Sequence, residues 1–573
     1  MTIIKRSIII FPLMLAACAH APQPVVEQVV KPEPHKVEKP LNLPKMELSG
    51  QMLYEFLLGD VANQRGIPGM AAQIYMKLAH STRDPRVANR AAHLAYGAHD
   101  TDRAVDAFNL WLELEPDSLE AKQMMSLMLI GGGRLDEARP HLVDMLAAYP
   151  DRAGHALMKY YPFLEQNPDK AAVLGLMQYL AQPYPRVAEA HFVVAQAAKD
   201  AGNHELALAE VRQARALRVE WEMAALLEAQ LLSRTMPQEA LAFLKKYLAA
   251  YPEATETRMF YARILLEQKQ YAESRKEFQQ LLNDRPENAE LAFAVAMLSM
   301  EMGEFDYAES GLQQALAKGK KDKNTVYYYM GQMSEAKNNN EDALQNYRKV
   351  EEGEHAFAAR LRAAYLLYGM GRLDEARDCL RQTVGQNNQQ RVQLISTEAH
   401  ILRDAKQPEA AYEVLSQGLE KLPNHPDLIY ETAMLADQIG KHDVFEQLMR
   451  KVIQIKPDNA QAYNALGYSL LDRNERVREG MELVEKAILL APDDFAIIDS
   501  MGWGHYRLGN IPKSLEFLRR AYDANPDPEI AAHLGEVLWV QGEKAEAQKI
   551  WDDALKSHPD NPVLQGAVKR FLP

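Results

Sequence analysis

Cysteine is almost absent from this chain: only Cys18 and Cys379 occur among 573 residues. Cys18 falls at a processing site, so no intramolecular disulfide is available. Cys379 falls in a helical pattern, where a lone cysteine reads as a small buried apolar residue. Positive charge is also in deficit, with 65 Lys and Arg against 79 Asp and Glu and a formal net charge of −14. No basic stripe with interleaved aromatics occurs. An acidic body of this kind repels nucleic acid and anionic lipid, which excludes both as partners of the main chain. Runs of β-branched residues are rare beyond the first thirty positions, whereas Ala and Leu are plentiful, which favours helix. The motifs of common enzyme chemistry are missing too: no G-x-S-x-G, H-E-x-x-H or C-x-x-C, and no phosphate loop. The sixteen histidines show no metal-ligand spacing. Gly131-Gly132-Gly133 and Gly369-Met370-Gly371 read as turns in which glycine supplies a positive φ, not as nucleotide loops. Asp493-Asp494 reads as a helix start favoured by the helix dipole. The expectation is a protein with no catalytic residues, metal or cofactor, and hence not an enzyme.

The chain begins with a leader over residues 1–17. Lys5 and Arg6 supply its positive start, and Ile8-Ile9-Ile10-Phe11-Pro12-Leu13-Met14-Leu15 is an apolar core too short to span a bilayer. It closes on Leu15-Ala16-Ala17-Cys18, which resembles the bacterial lipobox. That resemblance implies that Cys18 is lipidated and becomes the mature N-terminus, and that the membrane is reached through this lipid. Ala19 follows. The resemblance implies that aspartate at this place would hold a lipoprotein in the inner membrane, so its absence implies the outer membrane, with the protein facing the periplasm. Residues 18–46 carry Pro22, Pro24, Pro32, Pro34, Pro40 and Pro44 and no helical period. They read as a semi-stiff tether with a reach of about 85 Å.

A chain of 573 residues is too long for one ordinary core. Prolines mark how the rest is divided: Pro116 and Pro150, Pro252 and Pro286, then Pro423, Pro457, Pro492, Pro526 and Pro559. Each closes a second helix and precedes a first helix. Small residues recur between them. One unit has Leu466-Gly467, Ala487 and Pro492; the next has Gly502, Ala521 and Pro526; the third has Leu534-Gly535, Ala547, Trp551, Ala554 and Pro559. Weaker copies lie upstream, at Ala92, Ala104, Phe108 and Trp111, at Ala138 and Leu142, and at Ala262 and Phe278. Small side chains at these points let paired helices approach closely, where a larger one would overpack the contact.

This grammar resembles the tetratricopeptide (TPR) repeat, which alternates two helices over about 34 residues. The expected fold is an all-α, TPR-type helix-turn-helix solenoid forming a right-handed superhelix of about fifteen repeats. The expected organisation is leader 1–17, lipidated cysteine and tether 18–46, solenoid 47–560 and a C-terminal capping segment 561–573. Units near 151–185 and 389–423 look irregular. The resemblance implies that first helices line a concave groove. Its groove-facing positions fall on Asn464, Tyr468 and Asp472, on Asp499, Trp503, Tyr506 and Arg507, and on Glu536 and Trp539. Aromatic side chains on such a face suit protein binding, although Trp503 and Trp539 could equally fill space between adjacent first helices. The basic and asparagine set that grips a terminal carboxylate in chaperone-binding TPR clamps is not reproduced.

From Tyr463 to Trp551 the match becomes more particular. The chain reads Leu466-Gly467-Tyr468-Ser469-Leu470-Leu471-Asp472-Arg473, then Leu490-Ala491-Pro492-Asp493-Asp494. Asp499-Ser500-Met501-Gly502-Trp503 and Tyr506-Arg507-Leu508-Gly509 follow, and then Pro526-Asp527-Pro528-Glu529-Ile530-Ala531-Ala532-His533-Leu534-Gly535-Glu536-Val537-Leu538-Trp539. This stretch resembles a proteobacterial family of large outer-membrane TPR lipoproteins. Its best-known member binds a periplasmic carboxy-terminal processing protease and promotes degradation of cell-wall cross-link hydrolases. Gly480, where the repeat prefers alanine, and Phe495, where proline is expected, depart from the pattern. The resemblance implies a membrane-anchored adaptor for such a protease and its peptidoglycan-hydrolase substrates. The alternative is an assembly or pilotin-type TPR lipoprotein of an envelope complex, a class of much shorter chains.

Overall fold

A computed structural model describes residues 43–572. The leader, Cys18 and the tether up to residue 42 lie outside the described residues. Among the described residues there are 31 α-helices, one short 3₁₀ turn and no strand. They alternate as fifteen helix pairs followed by one final helix, numbered here α1 to α31 in chain order. The chain divides into two compact units, meeting at Thr257 and Arg258.

In the first unit the pairs run from α1 (Gly50–Gln64) and α2 (Pro68–Thr82) to α11 (Glu222–Thr235) and α12 (Pro237–Ala250). The marker prolines fall where the periodicity requires, between one pair and the next. Asp84, Asp100 and Ser118 each accept a backbone N–H at a helix start, satisfying donors that have no partner within the helix. Glu228 of α11 is buried and is held by Arg212 and Arg215 of α10 (His204–Leu217), at 3.1 and 2.5 Å. A pair departs from the rule near residues 151–185. There α7 (Ala153–Leu164) contains Pro162 and packs chiefly on α9 (Ala188–Asp200) rather than on its own partner α8 (Lys170–Ala181).

In the second unit α13 (Thr255–Glu267) pairs with α14 (Tyr271–Asp284), Ser274 Oγ donating to the Ala262 carbonyl at 2.7 Å. Pairs continue to α29 (Pro528–Gln541) and α30 (Lys544–Ser557), and α31 (Pro562–Phe571) packs on α29. Irregularity appears again before residue 423. Helices α18 (Asn340–Arg348) and α20 (Leu373–Gln382) are short, whereas α21 (Asn388–Asp404) runs 17 residues from an Asn387 cap. Cys379 is half-buried in α20. Burial pushes its thiol pKa up, and Sγ lies 3.6 Å from the Arg360 carbonyl.

Two turn glycines behave as the sequence implies: Gly133 at φ 72° and Gly371 at φ 78° close their helix pairs in the left-handed region. The departure at Gly480 also has a cause. A β-carbon on Gly480 would stand 2.9 Å from the Gly467 carbonyl, and one on Gly467 would stand 2.7 Å from the Gly480 carbonyl. Helices α25 (Ala460–Asp472) and α26 (Val477–Leu490) therefore touch backbone to backbone, and alanine does not fit at either place.

Candidate functional site

The residues singled out by periodicity lie on the first helices α25, α27 (Phe495–Arg507) and α29. Asn464, Tyr468, Asp472 and Asp499 line one hollow of about 450 Å³, together with Tyr430, Met434 and Asp437 of α23 (Pro426–Gln438) and Glu529 of α29. An adjoining hollow of about 450 Å³ is lined by His400 and Arg403 of α21 and shares Tyr430, Met434 and Asp437 with the first. The two make a continuous trough across successive first helices. Met434 is 42% exposed in it.

A buried polar network forms one wall. His533 is buried, and its Nδ1 lies 2.9 Å from Asp499 Oδ2. The Tyr468 hydroxyl donates to Glu529 Oε1 at 2.8 Å and lies 3.3 Å from His533 Nε2. Burial alone would depress the imidazole pKa; the Asp499 carboxylate, aided by Glu529 and Asp472, more than offsets this and holds it above its ordinary value. Burial, reinforced by Glu529 and Asp472, drives the Tyr468 phenol far above its ordinary pKa, so it stays a neutral hydrogen-bond donor.

Trp503 does not present a surface. It is 3% exposed and its ring stacks on His533 at 4.2 Å. Tyr506 lies 5.1 Å from it, and the Arg507 guanidinium stands 4.7 Å over its ring. Arg507 Nη2 also donates to the Asp472 carbonyl at 2.9 Å. Glu536 is buried, receiving the Tyr506 hydroxyl at 3.2 Å and Arg570 Nη1 at 3.0 Å. Trp539 belongs to a different cluster, at 5.8 Å from Trp551 and 6.2 Å from Phe571. The expectation of one shared tryptophan face is thus corrected. Trp503 packs against the next first helix through His533, and the partly buried Trp539 packs against α30 and α31, because a large flat side chain gains from leaving water.

Periodicity found Asn464, Tyr468, Asp472 and Asp499 but missed His533 and Glu529, which complete the network. Asp499 and His533 are 34 residues apart, one repeat. A lone histidine within Ala531-Ala532-His533-Leu534-Gly535 was the available signal. Among the described residues no group of acidic, histidine or cysteine side chains is placed to hold a metal ion. No described helix is long and apolar enough to cross a membrane.

Comparison with known proteins agrees with the repeat geometry. Residues 231–298 and 288–559 match two family models, each described as a tetratricopeptide repeat. A TPR repeat-containing protein of Pseudomonas aeruginosa, PA4667, is 32% identical over 494 residues, covering 85% of this chain and 82% of that one. The mitochondrial import receptor subunit TOM70 of Rattus norvegicus is 28% identical over 141 residues, covering 24% of this chain and 22% of its own. Among solved structures, the APC/C hetero-tetramer Cut9–Hcn1 covers 91% of this chain and 96% of its own at 13% identity and a TM-score of 0.32.

Proposed function

The chain belongs to the tetratricopeptide-repeat family, whose members are protein-binding and typically non-catalytic scaffolds, and from that premise we propose a lipid-anchored adaptor on the periplasmic face of the outer membrane. Its partners on this reading are a carboxy-terminal processing protease and the peptidoglycan hydrolases that the protease degrades. The observation that carries the anchor is Leu15-Ala16-Ala17-Cys18 at the end of a leader-length apolar core, with Ala19 after it. A single acyl chain anchors only marginally, so stable attachment needs more than one.

The partner assignment is supported by the resemblance from Tyr463 to Trp551, a stretch that also supplies Asn464, Tyr468, Asp472, Asp499 and Glu529 to the trough. A scaffold role needs a continuous surface carried on rigid helices, and the first helices α21 to α29 supply one. Affinity purification from membranes solubilised without denaturant tests the partner assignment. Recovery of a serine protease with cell-wall hydrolases is expected; recovery of secretin or outer-membrane insertion machinery instead would overturn it. For the anchor, Cys18→Ser should abolish lipid labelling and release the protein from the membrane fraction. Normal labelling in that variant would remove the basis for the anchor.

A further inference from the structure

The adjoining arm sets Glu431 and Asp437 against His400 and Arg403, whereas the arm along α25 is the richer in carboxylates. Asp437, Asp472, Asp499 and Glu529 line the arm along α25, against Arg473 and His442. Both of those donors are already engaged: Arg473 Nε donates to the Ser469 carbonyl at 3.1 Å, and His442 Nδ1 lies 2.9 Å from Asp437 Oδ1. Asp499 and Glu529 are turned to His533 and Tyr468. Asp472 keeps a half-exposed carboxylate in a long ion pair with Arg507, at 3.7 Å, while the same guanidinium donates to the Asp472 carbonyl at 2.9 Å.

A second observation is independent of the charge. Asn464 lines the same hollow and is only 9% exposed, yet its Oδ1 has no hydrogen-bond partner. In the adjoining arm Glu431 Oε2 is likewise buried and unpartnered. Buried polar atoms are nearly always satisfied, so each exception needs a reason. Here both exceptions are acceptors and both border the trough. A ligand that brings donors would satisfy both.

We propose that this trough is a receptor for an extended polypeptide segment bearing a Lys or Arg side chain. The cationic head sits against Asp472 and Asp437 beside the Tyr430 ring, and Asn464 Oδ1 accepts a main-chain N–H of the segment. The carboxylate excess rejects acidic segments, because like charges brought together in a partly desolvated site repel. A divalent metal ion does not fit, since no set of described ligands converges. The inference rests on the scaffold reading and gives its groove a charge preference.

Met434 borders both arms and supplies the reporter. The full chain, carrying ¹³C-methyl methionine, is titrated with a capped nine-residue alanine–serine peptide holding one central lysine, with Met434→Leu identifying the signal. The lysine peptide should move the Met434 methyl resonance saturably. Replacing lysine by norleucine or glutamate, or replacing Asp472 by Asn, should weaken binding about tenfold. Asp472 is exposed, so Asp472→Asn leaves the fold intact, and an unchanged methionine spectrum in the free variant verifies this. Equal binding of the norleucine peptide, no Met434 shift with the lysine peptide, or a shift with spermidine but not with the peptide would each overturn the proposal. Peptide binding without a basic preference would leave the scaffold reading standing, whereas failure of the chain to capture any partner from membranes would count against that reading instead.

Discussion

Replacing Trp503 by alanine separates packing from binding at the centre of the C-terminal repeats. The ring is 3% exposed, stacks on His533 at 4.2 Å, and carries the Arg507 guanidinium at 4.7 Å. Its Nε1 has no hydrogen-bond partner, so truncation breaks no hydrogen bond and its effect is loss of packing. A buried tryptophan replaced by alanine costs about 3–5 kcal/mol. In a repeat array that loss stays local, since each unit contacts only its neighbours. For a cooperative segment of about 100 residues, each kcal/mol lowers Tm by about 4–8 °C, so a fall of at least about 12 °C is expected. Circular dichroism melting gives the shift, and hydrogen exchange should locate it in α25 to α30. A Tm within about 2 °C of the parent, with partner capture lost, would refute the packing argument and make Trp503 a contact residue.

Three further outcomes follow from the geometry. A β-carbon on Gly535 would lie 2.7 Å from Trp551 Cδ1 and closer still to Nε1; Gly535→Ala should therefore destabilise the last pair by about 1–3 kcal/mol, and an unchanged melt of α29 to α31 would show that Trp551 yields freely. His533 has its pKa raised in the fold, so the stability it gains from Asp499 is fully present below the unfolded value of about 6.5 and is lost as pH rises through the higher folded value. Unfolding of the parent and of His533→Gln, compared across pH 5–9, should show the parent's advantage shrinking as pH rises, and a growing advantage would reverse the sign assigned to the pair. Hydrogen exchange should open α7 and α8, and the segment from α20 to α21, before α25 to α30, because weak units uncouple their neighbours; uniform protection throughout would contradict that order.

The repeat was legible in the sequence because its physics is local. Proline cannot continue a helix, small residues permit close helix pairing, and Asn, Asp or Ser caps the next start. Pro457, Pro492, Pro526 and Pro559, with Gly467, Gly502 and Gly535, therefore announced the pairs before any coordinates. The same periodicity put Asn464, Tyr468, Asp472 and Asp499 on neighbouring faces. It could not say which side chains turn outward, since that depends on how the next helix seats. Trp503 looked like an anchor and is instead covered by His533, a residue whose partner lies one full repeat away. Gly480 looked like a lapse from alanine and proves to meet the Gly467 backbone directly. What sequence alone determined was the unit, its period and the order of its helices, each set by residues within one turn or one repeat. Tertiary structure decided which polar atoms are paired and which remain open. Pairing of this kind forms between helices, here across 34 residues for Asp499 and His533 and 61 for Tyr468 and Glu529, spans that no local pattern encodes.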